Sequence, residues 1–76
     1  MNDDIMNANE TRQARAFDAL EYYKHGLLEE DGSVCEDDFT DILTDLRHLA
    51  GIMAVNFDEV MIRSQMHYAE ELSEGN

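Results

Sequence analysis

Apolar side chains recur along the chain at helical spacing. Ala16, Leu20, Tyr23 and Leu27 are separated by four, three and four residues, one face of an α-helix from about Thr11 to His25. Gly26 stands where a left-handed cap would end that helix, and Glu29-Glu30-Asp31-Gly32 reads as a turn. A second stripe is Phe39, Ile42, Leu43, Leu46, Leu49 and Ala50. At 3.6 residues per turn it fills an arc of ~120°. Its start carries a capping-box pattern, Ser33-Val34-Cys35-Glu36, and Gly51 is the expected stop. A third helix opens at Asn56 with Glu59 three residues on, and Val55 and Val60 are spaced for a hydrophobic staple. Its main face is Phe57, Val60, Met61, Ser64, Tyr68 and Leu72.

No segment alternates as a strand would. The predicted fold is all-α: a small three-helix bundle, with a helical hairpin formed by the second and third helices. Residues 1–9 are expected to be a flexible N-terminus, 10–72 one helical domain, and 73–76 a flexible tail. The third helix also carries Ile62, Met66 and Ala69, roughly opposite its main face. Two stripes on one helix imply burial on both sides, by the first helix or by another chain. These three residues are the candidate dimer or partner face.

Composition changes the picture through charge. The 76 residues hold 18 Asp plus Glu against 5 Lys plus Arg, a net charge of -13. Such a field repels phosphate, so direct nucleic-acid binding and adsorption to an anionic membrane are excluded as expectations. Yet 43 % of residues are hydrophobic and Pro is absent, which suits helices rather than disorder. The acidic N-terminus lacks a signal-like apolar region, and the single Cys35 has no intramolecular partner. A reducing, cytoplasmic setting is the expectation.

The charge is concentrated. Between Glu29 and Asp45 lie eight acidic residues and no basic one. Glu36, Asp37 and Asp38 suit the dipole at a helix N-terminus. Asp38, Asp41 and Asp45 stack along one edge, over roughly 10 Å at 1.5 Å per residue. A carboxylate row of this kind can imitate a phosphate backbone before a surface of Lys and Arg. The partner-binding candidates are therefore Glu36, Asp37, Asp38, Asp41 and Asp45. The partner they imply is the basic surface of a nucleic-acid-handling protein. The bland alternative is a solvated helix face.

No catalytic pattern stands out. His25, His48 and His67 fall one per helix, with no metal-binding spacing, and no cofactor is expected. Asp18/Glu21 and Asp38/Asp41 resemble, as helical carboxylate pairs, the magnesium cradle of the MazG-type nucleotide pyrophosphohydrolases. That resemblance implies a metal-dependent hydrolase, but the chain has Asp at key places and no recognisable basic residues for a nucleotide. A different likeness runs over residues 39–71. Asp41-Ile42-Leu43-Thr44-Asp45-Leu46-Arg47-His48, then Asn56-Phe57-Asp58, then His67-Tyr68-Ala69-Glu70-Glu71, resembles small acidic helical proteins of unknown function from phages and mobile elements. What it implies is a context, by analogy with anti-CRISPR and anti-restriction proteins that disarm host nucleic-acid enzymes. The expected function is a non-enzymatic acidic binding protein that occupies a basic surface. The alternative is a helical dimerisation or regulatory module acting through its apolar face.

Overall fold

The computed structural model describes residues 7–74. The expected flexibility of residues 1–6, 75 and 76 lies outside the described residues. Three helices account for the fold: α1 (Ala8–Glu21), α2 (Glu36–Met53) and α3 (Phe57–Ser73). The described residues are 81 % helical and contain no strand. The all-α three-helix fold is thus as expected, with α2 and α3 joined as a hairpin.

Helix α1 begins earlier than the apolar spacing suggests. Asn7 is its N-cap: the Asn7 side chain accepts the Glu10 N–H at 2.8 Å, and Glu10 accepts the Asn7 N–H at 3.2 Å. This reciprocal pair satisfies two of the free donors at a helix start. Beyond Glu21 the chain winds on as a π-helical segment, Tyr22–Leu27. There the Leu28 N–H reaches back five residues to the Tyr23 carbonyl at 2.9 Å. The widened turn presents two successive side chains, Tyr23 and Lys24, to α2.

Gly26 is not a left-handed cap. It lies under the Tyr22 ring, which a Cβ at Gly26 would meet at 3.0 Å. The left-handed residue here is Glu29, at φ 57°. Helix α2 likewise starts two residues later than Ser33 would set it. Cys35 is the N-cap, and its N–H donates to Asp38 Oδ2 at 2.7 Å. Nor does Gly51 stop α2. The helix runs through it to Met53 and closes at Ala54, left-handed at φ 59° and ψ 38°. At α3 the expectation holds: Asn56 accepts the Glu59 N–H at 3.1 Å.

The helices meet mainly near their ends. The end of α1 and the π-helical segment pack on α2 from its first turn to its middle, through Lys24–Asp38 and Tyr23–Asp45 contacts. At the hairpin turn, the Arg47 guanidinium lies 4.8 Å from the Phe57 ring centre and 3.4 Å from Asp58. At the far end of α3, Glu71 receives Asn9 on its carbonyl at 3.0 Å and Arg12 on its carboxylate at 3.4 Å. The centre stays open. Among the described residues, the buried apolar side chains are Leu20, Tyr23 and Ala50. The radius of gyration is 14.8 Å, against about 11 Å for a compact chain of this length.

Two small substitutions follow from the hairpin turn. A Cβ at Gly51 meets nothing within 4 Å, so Gly51→Ala removes the entropic penalty of a helical glycine. Ala54→Gly relieves the left-handed Cβ clash. Each should raise stability by about 0.5–1 kcal/mol, or a few degrees in Tm by thermal circular dichroism.

Candidate functional site: the acidic edge of α2

The acidic segment is built by three neighbouring pieces: the end of the π-helical segment, the loop 28–35, and the first turns of α2. The loop is shaped by Glu29 and Gly32, at φ 57° and 97°, and by His25, whose Nε2–H donates to the Gly32 carbonyl at 2.7 Å. Glu29, Glu30, Asp31, Glu36, Asp37, Asp41 and Asp45 are all exposed.

Asp38 is the exception, and the expectation that it faces a partner is corrected. It is 1 % exposed. Its two oxygens lie 3.2 and 3.1 Å from Lys24 Nζ, and Oδ2 also accepts the Cys35 N–H. Burial alone would push its carboxyl upward. The backbone N–H of Cys35 and the Lys24 ammonium outweigh that, and hold Asp38 below the ordinary carboxylate range. Lys24 is itself buried, and the hydrogen bond to Asp38 raises it above an ordinary lysine despite desolvation. Asp38 is therefore a structural anchor. The row Asp38, Asp41, Asp45 reaches solvent only as Asp41 and Asp45.

Asp45 has an internal partner too. It accepts the Tyr23 O–H. That bond, with desolvation and the nearby charges of Asp45, Asp41 and Glu30, pushes the Tyr23 phenol up to about 12. Glu30, Asp38 and Asp41 bring carboxylate oxygens within 4.8 Å of one another. The Lys24 ammonium already bonds Asp38 within this group. The Asp18/Glu21 pair does not belong to it, so the paired carboxylates read from the sequence do not form one cradle among the described residues.

Lys24 and Tyr23 are the site residues that sequence reasoning missed. Lys24 reads as surface charge compensation on the first helix. Its partner is fourteen residues away, and the local signal was only a lysine beside an apolar helix face. The second candidate surface, Ile62, Met66 and Ala69, is exposed, and α1 does not cover it. No helix among the described residues is long and apolar enough to cross a membrane. No protein-family model, curated protein or solved structure matches the chain.

Two titrations check this geometry. Asp38 is lowered in the folded state, so its stabilisation is whole above the unfolded value of about 3.9 and is lost as pH falls through the folded one. The Tm gap between the parent and Asp38→Asn should be widest near neutrality and narrow below pH about 4. An unchanged gap would contradict the buried pair. Tyr23 is raised, so its contribution is whole below pH about 10 and fades as pH rises toward 12. Ultraviolet titration should show a phenolate step near pH 12, shifted downward in Asp45→Asn.

Proposed function

We propose that this chain is a non-enzymatic acidic binding protein. Its exposed carboxylates from Glu29 to Asp45 dock on a basic, nucleic-acid-binding surface of another protein and block it. One observation carries the reading: the exposed acids of this segment have no cation among them. The segment contains no Lys or Arg, and Lys24 alongside it is buried against Asp38. An ordinary surface interleaves both signs. Here Glu36, Asp37, Asp41 and Asp45 point a single sign outward, and like-charge crowding at the start of α2 is retained. The match in sign supplies fast, steered association with a basic partner. The likeness of residues 39–71 to mobile-element proteins agrees with an inhibitor of host nucleic-acid enzymes.

The test is capture of partners from cells in roughly 50 mM and 500 mM salt, because screening separates exposed charge contacts from apolar ones. Nucleic-acid-binding proteins should be retained in low salt and released in high salt. A triple variant, Glu36→Gln/Asp37→Asn/Asp41→Asn, should lose most of that retention while keeping the parent's helicity. Retention indifferent to both salt and the triple variant would overturn the proposal.

A further inference from the structure

An apolar cleft opens beside the acidic segment, where α1, the loop 28–35 and the start of α2 meet. It has a volume of about 460 Å³ and is lined by Gln13, Ala16, Phe17, Leu20, Val34 and Phe39. That size falls in the range of sites that take a bound group, about 300–1,000 Å³. Leu20 is buried at its floor, and Val34 is half-buried. Phe17 stands on the α1 wall and Phe39 on the α2 wall, 50 % and 58 % exposed. An apolar side chain entering between the two rings removes more of both from water.

The rim of the cleft carries one sign. Glu36 is three residues before Phe39 and Glu21 four after Phe17, so each neighbours its phenylalanine on the helix surface. Glu10 stands three residues before Gln13 in the same way. The cations are held elsewhere. Between Arg15 and Arg47 the only Lys or Arg is Lys24, and it is buried against Asp38. Arg12 is paired with Glu71 and Arg47 with Asp58. At 3.6 residues per turn Arg15 lies about 160° around α1 from Phe17. Arg63 is on α3. Apolar walls inside an acidic rim call for an occupant that is apolar at its tip and cationic at its flanks. A second copy of this chain does not fit, because an isologous contact through the cleft brings two acidic rims together, each on a chain of charge -13.

We infer that this cleft receives one large apolar side chain, presented by a basic segment of the partner protein with Lys or Arg on either side of it. The inference rests on the acidic segment being a docking surface for a basic protein, and it names what that surface recognises. The carboxylates draw the segment in and respond to salt. The cleft holds it and discriminates by side chain, because an apolar anchor in a pocket contributes most of the contact's strength. A polycation without such an anchor gains only the first.

Two synthetic peptides test it on the full chain. Both are short runs of Lys and Arg with a terminal dye for anisotropy; one has Trp at its centre and the other Ala. In roughly 50 mM salt the Trp peptide should bind about tenfold tighter than the Ala peptide. The chain has no Trp, so the emission of an undyed Trp peptide should shift to the blue as its ring leaves water. In roughly 500 mM salt both peptides should weaken while their ratio persists. Glu21→Gln/Glu36→Gln should weaken both together. Phe17→Ala/Phe39→Ala should abolish the preference for Trp and keep the salt-sensitive binding of the Ala peptide. Ala16→Phe, which fills the cleft from an exposed position, should do the same. Equal affinity of the parent for both peptides would overturn the inference and leave the acidic docking surface standing. So would a preference that survives in a cleft variant of unchanged helicity. Binding of neither peptide in low salt would overturn the docking surface itself, and the inference with it.

Discussion

The arrangement depends on an ammonium group held against a carboxylate where the π-helical segment meets the start of α2. Lys24 and Asp38 are both buried, and among the described residues only Leu20, Tyr23 and Ala50 join them. Taking two charges from water is costly, and their attraction offsets the cost only when the remaining bonding capacity is met. Here it is met. Asp38 takes two contacts from Lys24 and one from the Cys35 N–H, so one carboxylate both caps α2 and ties it to the preceding helix. Because a half-satisfied pair would be worse than none, the contact selects one register between these elements. Tyr23 and Asp45 add a second contact along the same seam.

That anchor sorts the remaining acids. With Asp38 turned inward, its acidic neighbours on the segment point outward and lack a nearby mobile cation. The resulting field opposes compaction, and it suits recognition of a basic surface. Helix α3 is held differently. Its exposed side is mostly uncharged, and it touches the rest of the molecule chiefly at its ends. Exposed apolar side chains occur on both helices, Phe39, Leu49 and Ile52 on α2 and Ile62, Met66 and Tyr68 on α3, while the exposed acids of the Glu29–Asp45 segment are confined to α2 and the loop before it.

The fold class and the existence of three helices were legible because those signals are local. The stripe from Phe39 to Ala50 repeats within a single helix, and the Asn56 cap acts over three residues. The misread positions are equally instructive. Ser33 and Glu36 have capping-box spacing, but Asp38, fixed from outside by Lys24, moved the cap to Cys35. Gly26 and Gly51 resemble helix stops, yet Glu29 and Ala54 take the left-handed conformation. The chain must turn where the next helix can dock, and a residue with a Cβ can bear that strain when packing demands it. The Asn7–Glu10 cap is hard to read because no strong apolar stripe runs beside it.

The candidate site divides along the same line. Composition establishes its sign and residue order its span, Glu29 to Asp45, since neither depends on folding. The sequence by itself also determined the helices and the two apolar stripes of α3, because periodicity is a property of neighbours three and four residues apart. Only the tertiary structure decided which carboxylates face solvent. Asp38 and Asp41 are alike in type and lie on one helix edge. What separates them is a lysine fourteen residues before Asp38, and a contact at that distance exists only once the chain has closed on itself. The same holds for α3. Its stripes are readable, but that only Phe57 and Val60 at the hairpin turn are partly covered follows from where α1 and α2 come to rest.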